Sequence, residues 1–179
     1  ALQTQKLREC IADGLVDRVA VANPDLGSRA YMCADLGREV PIFVHSSSNA
    51  FRHRPYPTVL VFNEIISTKK PFMRDIVSID PLFLSRRAVL GDCPLLKLGE
   101  FLPVPAPRYL QDQDKVLAFC APKYSPLDFL LPTVELEVPA DLIFRYKVFA
   151  KALLEGEIIA GVPPTGARLL ARPNLVLHA

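Results

Sequence analysis

From Gln3 to Ala20 apolar residues return every four positions, at Leu7, Ile11, Leu15 and Val19, with Cys10 in the same stripe. This spacing predicts an amphipathic helix over that span, with Thr4 as its N-cap. Gly14 lies inside it, where glycine costs about 1 kcal/mol against alanine. The breakers of Asn23-Pro24-Asp25-Leu26-Gly27-Ser28 predict a loop.

The period then shortens. Ala30 to Ala34 and Val40 to His45 read as strands flanking a turn at Asp35–Glu39. Ser46 to Pro57 is polar and punctuated by proline, which predicts a long surface loop. Thr58 to Ile66 is the strongest strand pattern. Val59, Val61 and Ile65 fall on one face, Leu60, Phe62 and Ile66 on the other. Apolar residues on both faces require cover on both. One face would fill a barrel and the other would meet a helix or another domain. Lys69-Lys70-Pro71 turns the chain, and Phe72 to Ile79 returns as a strand. Asp80-Pro81 opens a short helix through about Ala88, with Asp80 as cap and proline at the first helical position.

Pro94 to Pro107 is rich in proline and predicts a linker or a surface arm. Tyr109 to Ala121 reads as a hairpin about Gln111–Asp114. Leu131 to Val138 alternates, with Val134, Leu136 and Val138 inward and Glu135 and Glu137 outward. Asp141 to Glu155 reads as a helix with a buried stripe of Leu142, Tyr146, Phe149 and Leu153. The class is α+β. A helix, several short strands and a further short helix suit a small closed β-barrel of the oligonucleotide-binding (OB) type, with flanking helices and a small hairpin-and-helix extension at the C-terminal end.

Composition is that of an ordinary globular chain of 179 residues: half hydrophobic and about a fifth charged. No run of 18 apolar residues indicates a membrane span, and no secretory signal is visible at the start. Cys10, Cys33, Cys93 and Cys120 form no CxxC pair and read as thiols of a reducing compartment. The net charge of +2 is small for a general nucleic-acid binder, so any RNA contact is expected to be local and shared with other domains.

The enzyme motifs sought are absent from the sequence. It has no GxxxxGK[ST] phosphate loop, no GxGxxG after a strand, no GxSxG elbow and no HExxH. Cys33, His45 and His53 lack paired zinc-ligand spacing. Glu135 and Glu137 read as the solvated face of a strand. Basic residues do gather: Arg52, His53 and Arg54 in one loop, Lys69, Lys70 and Arg74 at the next turn, and Arg86 and Arg87 on the short helix. Loops and one sheet face of an OB barrel bind single strands through phosphate neutralisation and stacking; solubilising surface charge is the plain alternative. Phe51 and Phe72 could stack on bases or be buried in the core.

The stretch Val40-Pro41-Ile42-Phe43-Val44-His45-Ser46-Ser47-Ser48, then Val59 to Arg74, with Thr68-Lys69-Lys70-Pro71-Phe72-Met73-Arg74 at its end, then Ile79-Asp80-Pro81-Leu82-Phe83-Leu84, resembles the C-terminal OB domain of DEAH-box RNA helicases. Leu7-Arg8-Glu9-Cys10 and Gly14 to Ala20 resemble that family's lead-in to the barrel. Ser46, Lys69, Pro71 and Phe83 depart from its pattern; Lys69 and Pro71 fall in the loop where the family approaches RNA. Leu131 to Pro139 and Arg145-Tyr146-Lys147 to Gly156 resemble the C-terminal extension of one branch, the nucleolar helicase of small-ribosomal-subunit assembly that displaces U3 small nucleolar RNA. Pro94 to Asp128 matches loosely.

The resemblance implies a chain of four parts. Residues 1–28 are a helix joining an upstream helicase domain to the barrel, 29–93 the OB barrel, 94–130 a proline-rich arm and hairpin, and 131–179 a strand–helix extension. It implies contact with single-stranded RNA (pre-rRNA or U3 small nucleolar RNA) through Arg52, Arg54, Thr68, Lys69, Lys70 and Arg74. Packing against a helix or a motor-side domain would use Leu60, Phe62 and Ile66. The implied partners are upstream motor domains, activator proteins and ribosome-assembly proteins, in the nucleolus or nucleus. No cofactor is expected in this chain; ATP and magnesium would serve the motor domains. The alternatives are a free-standing OB module that binds RNA or protein without a motor, and a purely structural element of a large ribonucleoprotein particle.

Overall fold

The opening helix stops at Gly14. In the computed structural model, which describes residues 2–27, 29–52 and 55–158, α1 (Leu2–Gly14) gives way to a single 3-10 turn and then to strand β1 (Val19–Ala22). The strands that follow are β2 (Ala30–Cys33), β3 (Gly37–Val44), β4 (Val59–Val61), β5 (Glu64–Ser67), β6 (Pro71–Arg74) and β7 (Val77–Ser78). Helix α2 (Pro81–Leu90) precedes β8 (Leu96–Lys97), β9 (Arg108–Leu110), β10 (Lys115–Cys120), β11 (Lys123–Tyr124), β12 (Phe129–Leu130) and β13 (Val134–Glu137). Helix α3 (Ile143–Leu154) is the last described element. The helix expected to reach Ala20 is therefore six residues too long. Val19, Ala20 and Val21 are fully buried in a strand covered on both faces. Their spacing from Leu15 also fits a helix, so the period alone could not mark the change. Leu7 and Cys10, expected on the buried stripe, are exposed, while Ala12 is buried and Ile11, Leu15 and Val16 pack against the core.

The chain divides into two units, Ala1–Leu98 with Pro122–Pro132, and Gly99–Ala121 with Thr133–Ala179. In the first, seven strands form one sheet in the order β5-β6-β3-β2-β1-β4-β7. All its neighbours are antiparallel except β3 and β6, which run parallel with Phe43 opposite Phe72 and Val44 opposite Met73. The strand expected over Thr58 to Ile66 is broken at Phe62-Asn63. The Phe62 amide donates to the Arg18 carbonyl at 3.2 Å, and the Asn63 amide to the Arg74 carbonyl at 3.2 Å. The chain thus leaves β1 and joins β6 within two residues. The strand expected from Phe72 to Ile79 is likewise broken, at Asp75, whose φ of 51° is left-handed. The sheet order ends at β5 and β7, and no ladder among the described residues joins those ends.

Both faces of β4 are covered by the first unit itself. Val59 and Val61 pack with Ala12 of α1, Leu84 and Ala88 of α2, and Tyr124, Leu127 and Leu131. Leu60 and Phe62, fully buried, form the opposite core with Tyr31, Cys33, Ile42, Val44, Ala50 and Met73. The two faces are reversed from the sequence expectation: the helices lie against Val59 and Val61. Leu60 and Phe62 are enclosed by their own unit, leaving neither exposed for a further domain, and Ile66 is half-buried opposite Phe72. The 46–57 segment is not wholly superficial, since Ala50 enters this core. Tyr31 donates to the Pro57 carbonyl at 2.8 Å, and burial pushes its phenol up to about 12, so at neutral pH it remains a donor.

Helix α2 begins as the sequence predicts. The Asp80 carboxylate accepts from the Leu82 amide at 3.0 Å, and Pro81 occupies the first turn. Gly91, at φ 69°, supplies the left-handed residue that ends it. Ser85, fully buried, donates to the Pro132 carbonyl at 2.8 Å. The Arg87 guanidinium is ion-paired with Asp13 of α1 at 2.6 Å and with Asp92 at 3.1 Å. A second, three-stranded sheet orders β12-β11-β8, and Tyr124 donates to the Val16 carbonyl at 3.0 Å.

The second unit has a three-stranded sheet, β13-β10-β9, against which α3 lies. The proline-rich stretch is pinned: Phe101 bridges Cys120, and the Leu102 amide donates to the Phe119 carbonyl at 2.7 Å. The buried stripe of α3 is not the one expected. Phe144, Val148 and Ala152, four residues apart, face inward. Val148 packs with Val116, Ala118 and Val138, and Phe144 stacks on Phe101 at 5.8 Å. Leu142, Tyr146, Phe149 and Leu153 are exposed. A helix apolar on more than one side carries two candidate stripes, and the smaller side chains Val148 and Ala152 allow the closer approach. Arg108 pairs with Glu135 at 2.8 Å and Lys115 with Glu137 at 3.1 Å, so both glutamates act as a solvated, ion-paired face.

Candidate nucleic-acid interface

The β5–β6 hairpin presents its cations on a turn held by main-chain atoms. The Thr68 amide donates to the Lys70 carbonyl at 3.1 Å, and the Thr68 hydroxyl reaches the same oxygen at 3.4 Å. Lys69 and Lys70 are thereby free to extend side chains that the turn does not require. Thr68, Lys69, Lys70 and Arg74 are all exposed. Arg74 is engaged at 3.2 Å by Glu64 across the hairpin. Arg52 is exposed at the end of a short 3-10 turn, Asn49–Arg52. Arg54 and His53 lie outside the described residues.

Beside the hairpin the structure brings together residues that the sequence pattern left apart. The parallel register of β3 and β6 sets Phe43 beside Phe72, with ring centroids 6.3 Å apart and tilted by 52°. His45 meets the edge of Phe72 at 5.6 Å, while its Nδ1 lies 2.7 Å from the Ser47 hydroxyl. The Lys70 ammonium sits 4.9 Å from the centre of the Phe43 ring. Across the cleft, the Arg29 guanidinium lies over Phe51 at 4.9 Å and Tyr56 at 5.2 Å. The enclosed volume is about 200 Å³. Neither Arg29 nor Lys70 has a carboxylate partner among the described residues; each cation rests on an aromatic ring. Such contacts contribute about 0.5–1 kcal/mol at exposed sites.

Of the residues expected at an RNA interface, the structure sets Lys70 at this cleft, with Thr68 and Lys69 in the same turn. Phe51 and Phe72 line it. Sequence reasoning missed Arg29, Phe43 and Tyr56. The alternation along β3 offered one signal: Ile42 and Val44 are buried, which sets the intervening Phe43 on the other face. Among the described residues, which do not include His53, Cys33 and His45 assemble no zinc site. Cys33 lies in the core with its thiol pushed up by burial, and no group of three potential metal ligands occurs among the described residues.

A basic hairpin thus lies beside a cleft lined by aromatic rings. Residues 7–88, from α1 through most of α2, match the family model described as oligonucleotide/oligosaccharide-binding (OB) fold. Over 98% of its length the chain is similar to two proteins described as ATP-dependent RNA helicases. It is 29% identical over 181 residues to the probable ATP-dependent RNA helicase DHX37 of Homo sapiens, an alignment covering 98% of this chain and 15% of that protein. It is 27% identical over 176 residues to the ATP-dependent RNA helicase DEAH13 of Arabidopsis thaliana, covering 98% and 13%. The chain thus spans about one-seventh of the length of these curated relatives.

Proposed function

We propose that this chain is the OB-fold accessory region of an ATP-dependent DEAH-box RNA helicase, and that it contacts single-stranded RNA beside the motor. The observation that carries this reading is the cleft at the β5–β6 hairpin, where Arg29 and Lys70 stand without carboxylate partners among the described residues, over aromatic rings. Its chemistry is the pairing of phosphate neutralisation with base stacking that sequence-tolerant single-strand binding uses. The OB reading extends to a closed barrel. The break at Phe62-Asn63 passes the chain from β4, paired with β1, to β5, paired with β6, so two consecutive strands stand toward opposite ends of the strand order, as in a sheet curled on itself.

On this reading, ATP and magnesium are held by motor domains outside this chain, which itself has no phosphate loop. The process is small-ribosomal-subunit assembly and pre-rRNA processing in the nucleolus, with pre-rRNA or U3 small nucleolar RNA as the strand contacted. Activator and assembly proteins dock on the accessory region. The exposed Leu142, Ile143, Tyr146, Phe149 and Leu153 on and beside α3 support the docking part, in the extension whose sequence resembles the nucleolar branch. Photocrosslinking the full chain to a uridine-rich single strand tests the RNA reading. Adducts are expected on peptides containing Phe43, Lys69–Phe72 or Tyr56; adducts confined to the second unit would contradict it.

A further inference from the structure

The cleft is built for something more specific than a phosphate backbone. A backbone needs a row of exposed cations, and the hairpin turn already provides Lys69 and Lys70. The cleft instead sinks half-buried rings, Phe43, Phe51, Tyr56 and Phe72, between two cations at its rim. At about 200 Å³ it is smaller than the ~300–1,000 Å³ of sites that enclose drug-sized ligands. It suits a single heterocycle, with the attached sugar and phosphates left outside. The ring faces that meet Arg29 and Lys70 are the electron-rich surfaces on which planar bases also stack.

The backbone of Arg29 points the same way. Its φ is 82°, in the left-handed region that few residues other than glycine adopt. Such conformations persist where surrounding structure holds them, and they cluster at binding sites. Here the strained backbone carries the guanidinium that lies over Phe51 and Tyr56 at the cleft.

We propose that this cleft takes one unstacked nucleobase from a single-stranded RNA, with Arg29 and Lys70 leaving their ring faces to hold the phosphates on either side of it. The proposal rests on the RNA reading above and adds a base-specific subsite to it. The consequence is selection by strandedness. A base within a duplex is stacked and paired and cannot enter, whereas a flexible single strand presents one readily.

The test uses the full chain and a fluorescently labelled 12-nucleotide single-stranded RNA, with anisotropy read across a salt series. Phe72→Leu and Phe43→Leu keep apolar bulk but remove the ring, and urea melts confirm that each variant folds. Each is expected to weaken binding by about 5- to 150-fold, the range for one base–aromatic stack, with the slope of log K against log salt unchanged. Moving a single abasic site along the RNA should reproduce that loss for the native chain at one position, and add nothing further in Phe72→Leu. Binding that is indifferent to both changes, while still salt-dependent, overturns the base pocket and leaves the RNA reading standing. A ring variant that also flattens the salt slope shows that the rings only position cations, which likewise overturns it. Failure of the native chain to bind any RNA removes both.

Discussion

Replacing Phe62 by alanine is expected to destabilise the first unit by about 3–5 kcal/mol, the range for truncating a fully buried phenylalanine. Phe62 is the residue at which the chain passes from β1 to β6, and its ring is fully buried among Tyr31, Ile42, Leu60 and Met73. Removing it leaves a cavity where two strand partnerships meet, so the surroundings can relax little. Domains have only about 5–15 kcal/mol of stability in total, which makes this loss a large share of it. Urea denaturation of the isolated chain gives the value. A loss below about 1 kcal/mol, far under that of a buried ring, would mean that Phe62 is not a core residue and that the face awaits another domain, as its sequence pattern first indicated. Ile66→Ala, at a half-buried position near the hairpin turn, should cost clearly less.

Reversing Lys69 and Lys70 together to glutamate should remove most single-strand affinity while sparing the fold. The turn is held by Thr68 and the carbonyl of Lys70, not by either lysine side chain. For single strands, abolishing one lysine–phosphate pair flattens the slope of log K against log salt by about 0.7. Abolishing two therefore changes the slope by about 1.4, which corresponds to about a 25-fold weaker affinity at 0.1 M salt relative to 1 M. The added glutamates should deepen the effect by repelling phosphate. Arg74→Glu is the instructive comparison. Arg74 is already paired with Glu64, so its reversal should disturb the hairpin more than the salt slope. Equal slope changes for the two variants would place the phosphate track along the hairpin's side instead of its turn.

How much of the fold could be read from the chain depended on how local each cause is. The Asp80-Pro81 start of α2 and the hairpin about Gln111–Asp114 were readable, because cap and turn chemistry acts within a few residues. The change from α1 to β1 was hidden, because the four-residue apolar spacing continues from Leu15 into a buried strand. The break at Phe62-Asn63 was hidden for a different reason. The polar pair Asn63-Glu64 interrupts the apolar pattern there, but one interruption cannot say that the first half pairs with β1 and the second with β6. On α3, two apolar stripes competed, and only the partner surface with Val116, Ala118 and Val138 selects Val148 and Ala152 over Tyr146 and Phe149. At the candidate site, Lys69 and Lys70 were visible as charges in a turn. Phe43 and the Lys70–Phe72 segment are brought together by the parallel β3–β6 pairing, a long-range contact that no local pattern encodes, and Arg29 and Tyr56 reach the same cleft from segments outside that pairing.

Whether the first unit binds single-stranded RNA through this cleft and its hairpin is decided by one comparison. The full chain's affinity is measured for a 12-nucleotide single strand and for the same sequence as a duplex, at several salt concentrations. Weak, salt-dependent binding that favours the single strand by about tenfold or more is expected, because one base must unstack to enter an aromatic site. Equal affinity for both forms, or none for either, would refute the assignment.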